Sequence, residues 1–488
     1  MKPGLLDLSR RNFLARAGCG FGAVALEAML RMEARANAPK IADIKIDPVN
    51  PYLPRQPMFP AKAKSVIFFH MVGGPSQIDT FDYKPLLHKL DRKPIPDSFK
   101  TAAKATRFAN VFEECRDIVM ESPFKFSQHG QNGMWVSSLY PNLAKHVDDL
   151  CFIHSIQADS NNHAPASYQL HTGETVAGKA SIGSWVTYGL GTVNQNLPAY
   201  VLLFETGPHG GVANYSNGFL PPAFQGTHFR VDGAPVSDLL APRGLAAGQR
   251  DTLDLIHDLD MKHLHARPGV AELEARIASY ELAYRMQSTT IEVGEMDKEP
   301  AHIRESYGLN HSDPHVVKFA RKCLLARRLV ERGVRFVQVY NAYDRLGWDA
   351  HHQLKDNHEP LGLQTDQPLA ALIADLKQRS LLDETLIVWA GEFGRTPMMQ
   401  SDNGRQHNAA ASTIWLAGGG VQPGQRIGVT DEIGLLTVDQ PHGLRDLHAT
   451  ILRALGLDND RLAFEHSGRV ERLTGNAGDA VVIPKVLG

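Results

Sequence analysis

The sequence predicts an α/β fold built on an open sheet, and three observations predict it. Short apolar runs of strand length, rich in Val, Ile, Phe and Trp, recur at 65–70, 150–156, 334–340, 384–390 and 412–417. Amphipathic stretches of helical period fall between or after them, over 270–288, 314–332, 366–380 and 445–457. Several apolar runs empty into loops carrying Asp, Glu and His between glycines. Continuous apolar strands suit a sheet covered on both faces, and such sheets bind ligands at the carboxyl ends of their strands.

With 488 residues and 43% hydrophobic content the chain can bury a large core, as one big α/β domain with insertions or as two or three smaller ones. A formal charge of −2 lacks the basic footprint of a nucleic-acid binder. The 22 histidines are the compositional oddity and direct attention to metal or acid–base chemistry. Cys19, Cys115, Cys151 and Cys323 form neither a disulfide framework nor a zinc-ligand spacing; Cys151 and Cys323 sit in apolar runs and read as core residues.

Ser9-Arg10-Arg11-Asn12-Phe13-Leu14 is a twin-arginine export box, followed over Ala17–Leu30 by an apolar segment too short and polar to span a bilayer. Small-residue cleavage sites follow at Ala34-Arg35-Ala36 and Ala36-Asn37-Ala38. Residues 1–38 are thus expected to be a signal peptide and the protein to be periplasmic or otherwise exported. No later segment is apolar enough to be transmembrane. Residues 39–64 read as a Pro-rich extended arm, 65–480 as the α/β domain, and 205–310 as a cap or lid excursion, much of it Gly-, Pro- and His-rich without clear period.

The first strand, Ser65–His70, runs into Met71-Val72-Gly73-Gly74-Pro75-Ser76-Gln77-Ile78-Asp79, where Asp79 is a ligand or a helix N-terminal acid. The second leads to Asn162 and His163, just before a helix that starts with Pro165 in its first turn and stops at Gly173. A helix N-terminus after a core strand can seat an oxyanion. The strand 334–340 empties into Gly347-Trp348-Asp349-Ala350-His351-His352, a compact carboxylate–imidazole set. The strand 384–390 delivers Gly391-Glu392-Phe393-Gly394-Arg395, in which Glu392 is a metal ligand or the partner of Arg395. His407 follows in Gly404-Arg405-Gln406-His407-Asn408, while Asp446 and His448 read as cap and surface residues of a terminal helix. Mixed carboxylate–imidazole sets suit zinc, manganese or iron better than calcium.

These segments also occur together in a known family. The export box, Gly-Gly-Pro-Ser-Gln-x-Asp-x-Phe-Asp, Asn-His-x-x-x-Ser-x-x-x-x-Thr-Gly, Trp-Asp-x-His, Gly-Glu-Phe-Gly-Arg-Thr-Pro and Asp-Leu-His-Ala-Thr-Ile-Leu resemble the exported domain-of-unknown-function family numbered 1501. That family looks like a divergent branch of the alkaline phosphatase and sulfatase superfamily. The resemblance implies a three-layer doubly wound α/β sandwich, alkaline phosphatase-like, with metals at the strand ends. It implies Asp349 and His351 with His407 as ligands of one metal and Glu392 and Asp79 as ligands of another, with His70 or His352 substituting for a lost ligand. Where sulfatases carry Cys-x-Pro-Ser-Arg, this chain has His163-Ala164-Pro165-Ala166-Ser167, so no formylglycine can form. The expectation is an exported hydrolase of phosphate or sulfate esters, small-molecule or glycan. It would use a divalent metal, zinc before manganese, iron or calcium. His163 would act as ligand, acid–base or nucleophile beside Asn162, and Arg395 would steady the anion. The competing expectation is an inactive scaffold binding an anionic glycan or a protein partner. Oligomeric state is left open.

Overall fold

The computed structural model describes residues 40–488, except 48, 238, 241–243, 245–247, 268 and 343–346. The export box, both cleavage sites and Cys19 lie outside the described residues. The site depends on strands β1 (Ser65–Met71), β2 (Leu150–Gln157), β3 (Tyr200–Leu203), β4 (Thr227–Phe229), β5 (Phe336–Asn341) and β6 (Thr385–Ala390). It depends further on β7 (Gly394–Gln400), β8 (Gly404–Asn408), β9 (Ser412–Ala417), β10 (Arg426–Ile427) and β11 (His442–Gly443). All but β7 and β8 form a nine-stranded sheet in the order β10-β2-β9-β6-β1-β5-β3-β4, with β11 also paired to β2. The pairings are parallel except those of β9, which runs antiparallel to both neighbours. β7 and β8 make a separate antiparallel hairpin.

Alternation along β1 shows why the apolar runs have no polar face. Ile67 and Phe69 enter one core, Val66 and Phe68 the other, and all four are fully buried. Helices α2 (Pro314–Glu331) and α3 (Leu354–Gln378) supply Phe319, Leu325, Leu369 and Leu372 to the first core. Helices α1 (His163–Thr172) and α4 (Leu444–Ala454) supply Ala166, Leu170, Leu447 and Ile451 to the second. The result is an α/β/α sandwich of three layers. Each fully buried aliphatic or aromatic side chain contributes roughly 1.5–3 kcal/mol to it. Cys151 and Cys323 are buried and unpaired. Among the described residues, no helix is long and apolar enough to cross a membrane.

Three local expectations are corrected. Helix α3 starts at Leu354 rather than near 366 and carries Pro360 and Pro368 internally. Proline costs a helix about 3 kcal/mol, which argues for a later start, but α3 packs its buried face along α2 and that packing prevails. The aperiodic excursion contains the edge strand β4 and an 18-residue helix, Gln249–Ala266. His448, expected at the surface, is fully buried where α4 crosses α1, with its Nε2 2.8 Å from the Leu170 carbonyl.

Burial holds the His448 imidazole down at about 4, against the opposing effect of that hydrogen bond. The unfolded chain takes up this proton near pH 6.5 and the folded one near pH 4. The contribution is therefore fully present above pH 6.5 and lost as the pH falls to about 4, a total of about 3 kcal/mol. Urea unfolding of His448→Gln at pH 7 and pH 4.5 should show a shallower loss of stability with acid than the parent protein.

Candidate metal centre

The sheet topology collects polar residues at one edge. β1, β5 and β6 are parallel neighbours, and β2 runs in the same direction across β9. Their carboxyl ends therefore face the same way. Beyond β2 the chain turns at Asn161 and Asn162 and enters α1 at His163. After β5, the Trp348 backbone N–H donates to the Val72 carbonyl at 2.8 Å and its buried indole to Asn341 Oδ1 at 3.0 Å, which sets Asp349 in place. Gly347 is required there, since at φ +57 a Cβ would lie 2.2 Å from the Val72 oxygen. Beyond β6 comes Glu392, and the β7–β8 hairpin then lays His407 opposite Arg395.

Four of these side chains converge. One ligand atom each from His163, Asp349, His351 and His407 lies within 4.8 Å of the others. The Asp349 carboxylate is the hub: Oδ2 is 3.1 Å from His163 Nε2, and Oδ1 is 3.0 Å from His351 Nε2 and 3.2 Å from His407 Nε2. Each imidazole is anchored through its other nitrogen. His163 Nδ1 lies 2.7 Å from Glu392 Oε1, His407 Nδ1 lies 2.6 Å from the Asn161 carbonyl, and His351 Nδ1 meets Gln400 Oε1. Carbonyl and carboxylate oxygens only accept hydrogen bonds, so each Nδ1 carries a proton and each ring turns its Nε2 toward Asp349.

Beside a carboxylate an Nε2 is satisfied either by a proton, donated to the oxygen, or by a cation shared with it. At His407 burial, reinforced by the Arg395 charge, holds the imidazole down at about 4, so it stays neutral at pH 7. At His163 burial acts downward, but hydrogen bonds to Asp349 and Glu392 outweigh it and raise the ring to about 9, so a proton can fill Nε2. Asp349 is held well below the usual carboxylate range: burial opposes this, and the three histidines and Arg395 overcome it. The donor set fits a divalent cation: three imidazole nitrogens and one carboxylate, each imidazole oriented by an oxygen acceptor behind it. His163, His351, His407 and Asp349 would hold it.

The remaining expected residues are placed differently. Glu392 is buried behind the cluster, accepting from the Gly73 N–H at 2.9 Å and contacting His70 Nε2 at 3.1 Å. It pairs with His163, not Arg395. His70 continues inward to His171 at 2.9 Å and thence to Gln338, away from the cluster. Asp79 is corrected as a ligand of a second metal: it is fully buried and clasped by Arg405 through Nε at 2.6 Å and Nη2 at 3.2 Å, which neutralises it. Arg395 is corrected as an anion-steadying group. Its buried guanidinium donates to Asp349 Oδ1 at 2.6 Å and to the carbonyls of Gly73, Gly74 and Arg405, so it positions Asp349. Asn162 is the exposed N-cap residue of α1, and His352 is exposed beside the cluster.

Two residues escaped the sequence reading. His209, from the aperiodic excursion, stacks on His163 with centroids 4.5 Å apart, and its buried Nε2 has no hydrogen-bond partner. Gln400, at the end of β7, anchors His351; only the hairpin register could have revealed it. Replacing Glu392 by Gln should lower metal affinity about 10–100-fold with the fold intact, as loss of an outer carboxylate does. Competition against a colorimetric chelator measures this.

The profile of the family described as "Protein of unknown function (DUF1501)" matches residues 63–487. The chain belongs to this DUF1501 family. No curated protein matches the DUF1501 chain in sequence. Solved structures similar to it include the sulfatase PsFucS1 from Pseudoalteromonas sp., at 12% identity and TM-score 0.34, covering 89% of this chain and 71% of that one. A protein of the alkaline phosphatase superfamily from Vibrio parahaemolyticus shows 10% identity and TM-score 0.34, with 90% and 77% covered. The alkaline phosphatase of the Antarctic bacterium TAB5 shows 10% identity and TM-score 0.30, with 75% and 94% covered.

Proposed function

We propose that this DUF1501 protein is an exported, metal-dependent hydrolase of phosphate or sulfate esters, with zinc as the first candidate ion. The observation that supports it is the convergence of the His163, His351 and His407 Nε2 atoms on the Asp349 carboxylate, each ring fixed from behind. When bound there, a divalent ion supplies Lewis-acid polarisation of an ester oxygen. Asp349 and the three imidazoles hold the charge in place, and Arg395 fixes the carboxylate. Phe393, packed on His163 and His407 with centroids 4.9 and 4.5 Å away, keeps water from one side. His209, stacked on His163, adds a buried Nε2 without a hydrogen-bond partner. The twin-arginine box supports export of an already folded protein.

One observation favours the scaffold reading. Among the described residues, no Ser, Thr or Cys side chain hydrogen-bonds to the four candidate ligands, and four of the five N–H donors of Arg395 are engaged. Elemental analysis of the purified protein, with aryl phosphate and aryl sulfate turnover before and after chelation, separates the two. Chelatable turnover that His407→Ala abolishes is the expected result; bound metal without turnover of either ester leaves the scaffold. Replacing Arg10 and Arg11 by Lys should retain precursor in the cytoplasm.

A further inference from the structure

A second cavity, of about 310 Å³, opens beside the β10–β2 edge of the sheet and shares no lining residue with the metal centre. This volume falls at the low end of small-molecule sites, roughly 300–1,000 Å³. Its apolar wall is an aromatic platform. Tyr83 lies against Trp135 with ring centroids 4.5 Å apart and stacks on Phe126 at 5.0 Å, and all three rings are half-buried. Of the five tryptophans in the chain, Trp185, Trp348, Trp389 and Trp415 are fully buried, so Trp135 alone meets solvent. An indole and a phenol left partly open over a cavity form a surface that a flat, weakly polar ring can cover.

Polar groups of both kinds surround the platform. His154, only 8% exposed on β2, holds Thr413 Oγ1 at 3.1 Å through Nδ1, while its Nε2 has no partner among the described residues. Asp439 and Gln440 form an exposed pair, the Gln440 amide donating to Asp439 Oδ2 at 3.2 Å. Arg426 uses one donor on the Asn132 carbonyl at 3.3 Å and leaves the others open. Asp82 is already neutralised by Lys84 at 3.0 Å. Charges nearly cancel, so nothing here draws in an anion or a cation. What remains is donors and acceptors on a rim around an apolar face.

That combination matches one ligand chemistry. A pyranose has an apolar face of C–H bonds and a perimeter of hydroxyls that both donate and accept. We infer that this cavity binds a neutral sugar residue of a glycan, its C–H face on Tyr83 and Trp135 and its hydroxyls on His154 Nε2, Arg426, Asp439 and Gln440. The site is distinct from the metal centre, and the inference stands whether or not that centre hydrolyses esters.

The test uses the mature, metal-loaded protein and a panel of neutral hexasaccharides: malto-, cello-, laminari-, manno-, xylo- and agaro-series. Acrylamide quenching reads Trp135, and calorimetry gives affinity. At least one series should shield Trp135 and bind in the millimolar range or tighter. Trp135→Ala and Gln440→Ala should each weaken that binding by about tenfold or more. Gln440 is exposed, so its variant tests the site without threatening the fold, and His407→Ala, which disturbs only the metal centre, should bind as the parent does. The inference is overturned if no series shields Trp135, if binding survives both cavity substitutions unchanged, or if His407→Ala abolishes it.

Discussion

Asp349→Asn is expected to remove stoichiometric metal and, separately, to destabilise the metal-free protein by about 3–5 kcal/mol. The two effects come from the two sides of one carboxylate. Toward the edge of the sheet it faces three imidazole Nε2 atoms, where its charge would hold a cation. Toward the core it accepts from Arg395, whose guanidinium is fully buried and has only carbonyls otherwise. An amide at 349 keeps the shape and drops the charge, which leaves Arg395 as an uncompensated buried cation. His407→Ala should lose the metal while sparing the Arg395–Asp349 pair, at a much smaller cost to the apo form. Elemental analysis reads the first effect, and urea unfolding in excess chelator the second. Equal apo stability of the two variants would refute the role assigned to Arg395.

Arg405→Met should be at least as damaging, by about 3–5 kcal/mol or more, although the side chain touches no candidate ligand. Both members of the Asp79–Arg405 pair are fully buried, and Arg405 also serves the carbonyls of Thr396, Pro397, Met120 and Glu121. Without the guanidinium, a buried carboxylate keeps only the Ser76 hydroxyl and has no counter-charge, and four acceptors lose a donor. Arg405→Met combined with Asp79→Asn should recover part of the loss, because the stranded charge goes too. Urea unfolding of the two single variants and the double variant gives the coupling directly.

These residues also show what could be read before folding and what could not. The strands were legible because both faces of the sheet are covered, leaving runs such as Val66–Phe69 without a polar position. Asp349, His351 and His163 stood out because each follows a strand end in a glycine- or asparagine-marked loop, and such ends gather at one edge; His407, read as a loop residue, lies within β8. Asp79 looked the same locally. Its fate was decided by Arg405, 326 residues away in the chain, and no local pattern reports a partner at that distance. Locally, Arg395 suits a pair with Glu392 or a grip on an anion, whereas the hairpin turns it toward Asp349. His209 lies in a stretch without period, and His448 looked solvent-facing until α1 covered it.

The four convergent side chains come from segments widely spaced along the chain: the start of α1, the loop beyond β5, and the strand β8. An ion held by all of them would act as a cross-link between the early and late thirds of the polypeptide, closing loops longer than most disulfides do. At a free concentration a thousand times its dissociation constant, such a ligand adds about 4 kcal/mol to the folded state. A chain cut within the long excursion would stay joined by its interleaved strands, since β1 sits between β6 and β5 and β2 lies beside β9, and the ion would add a clasp that chelation, not reduction, undoes.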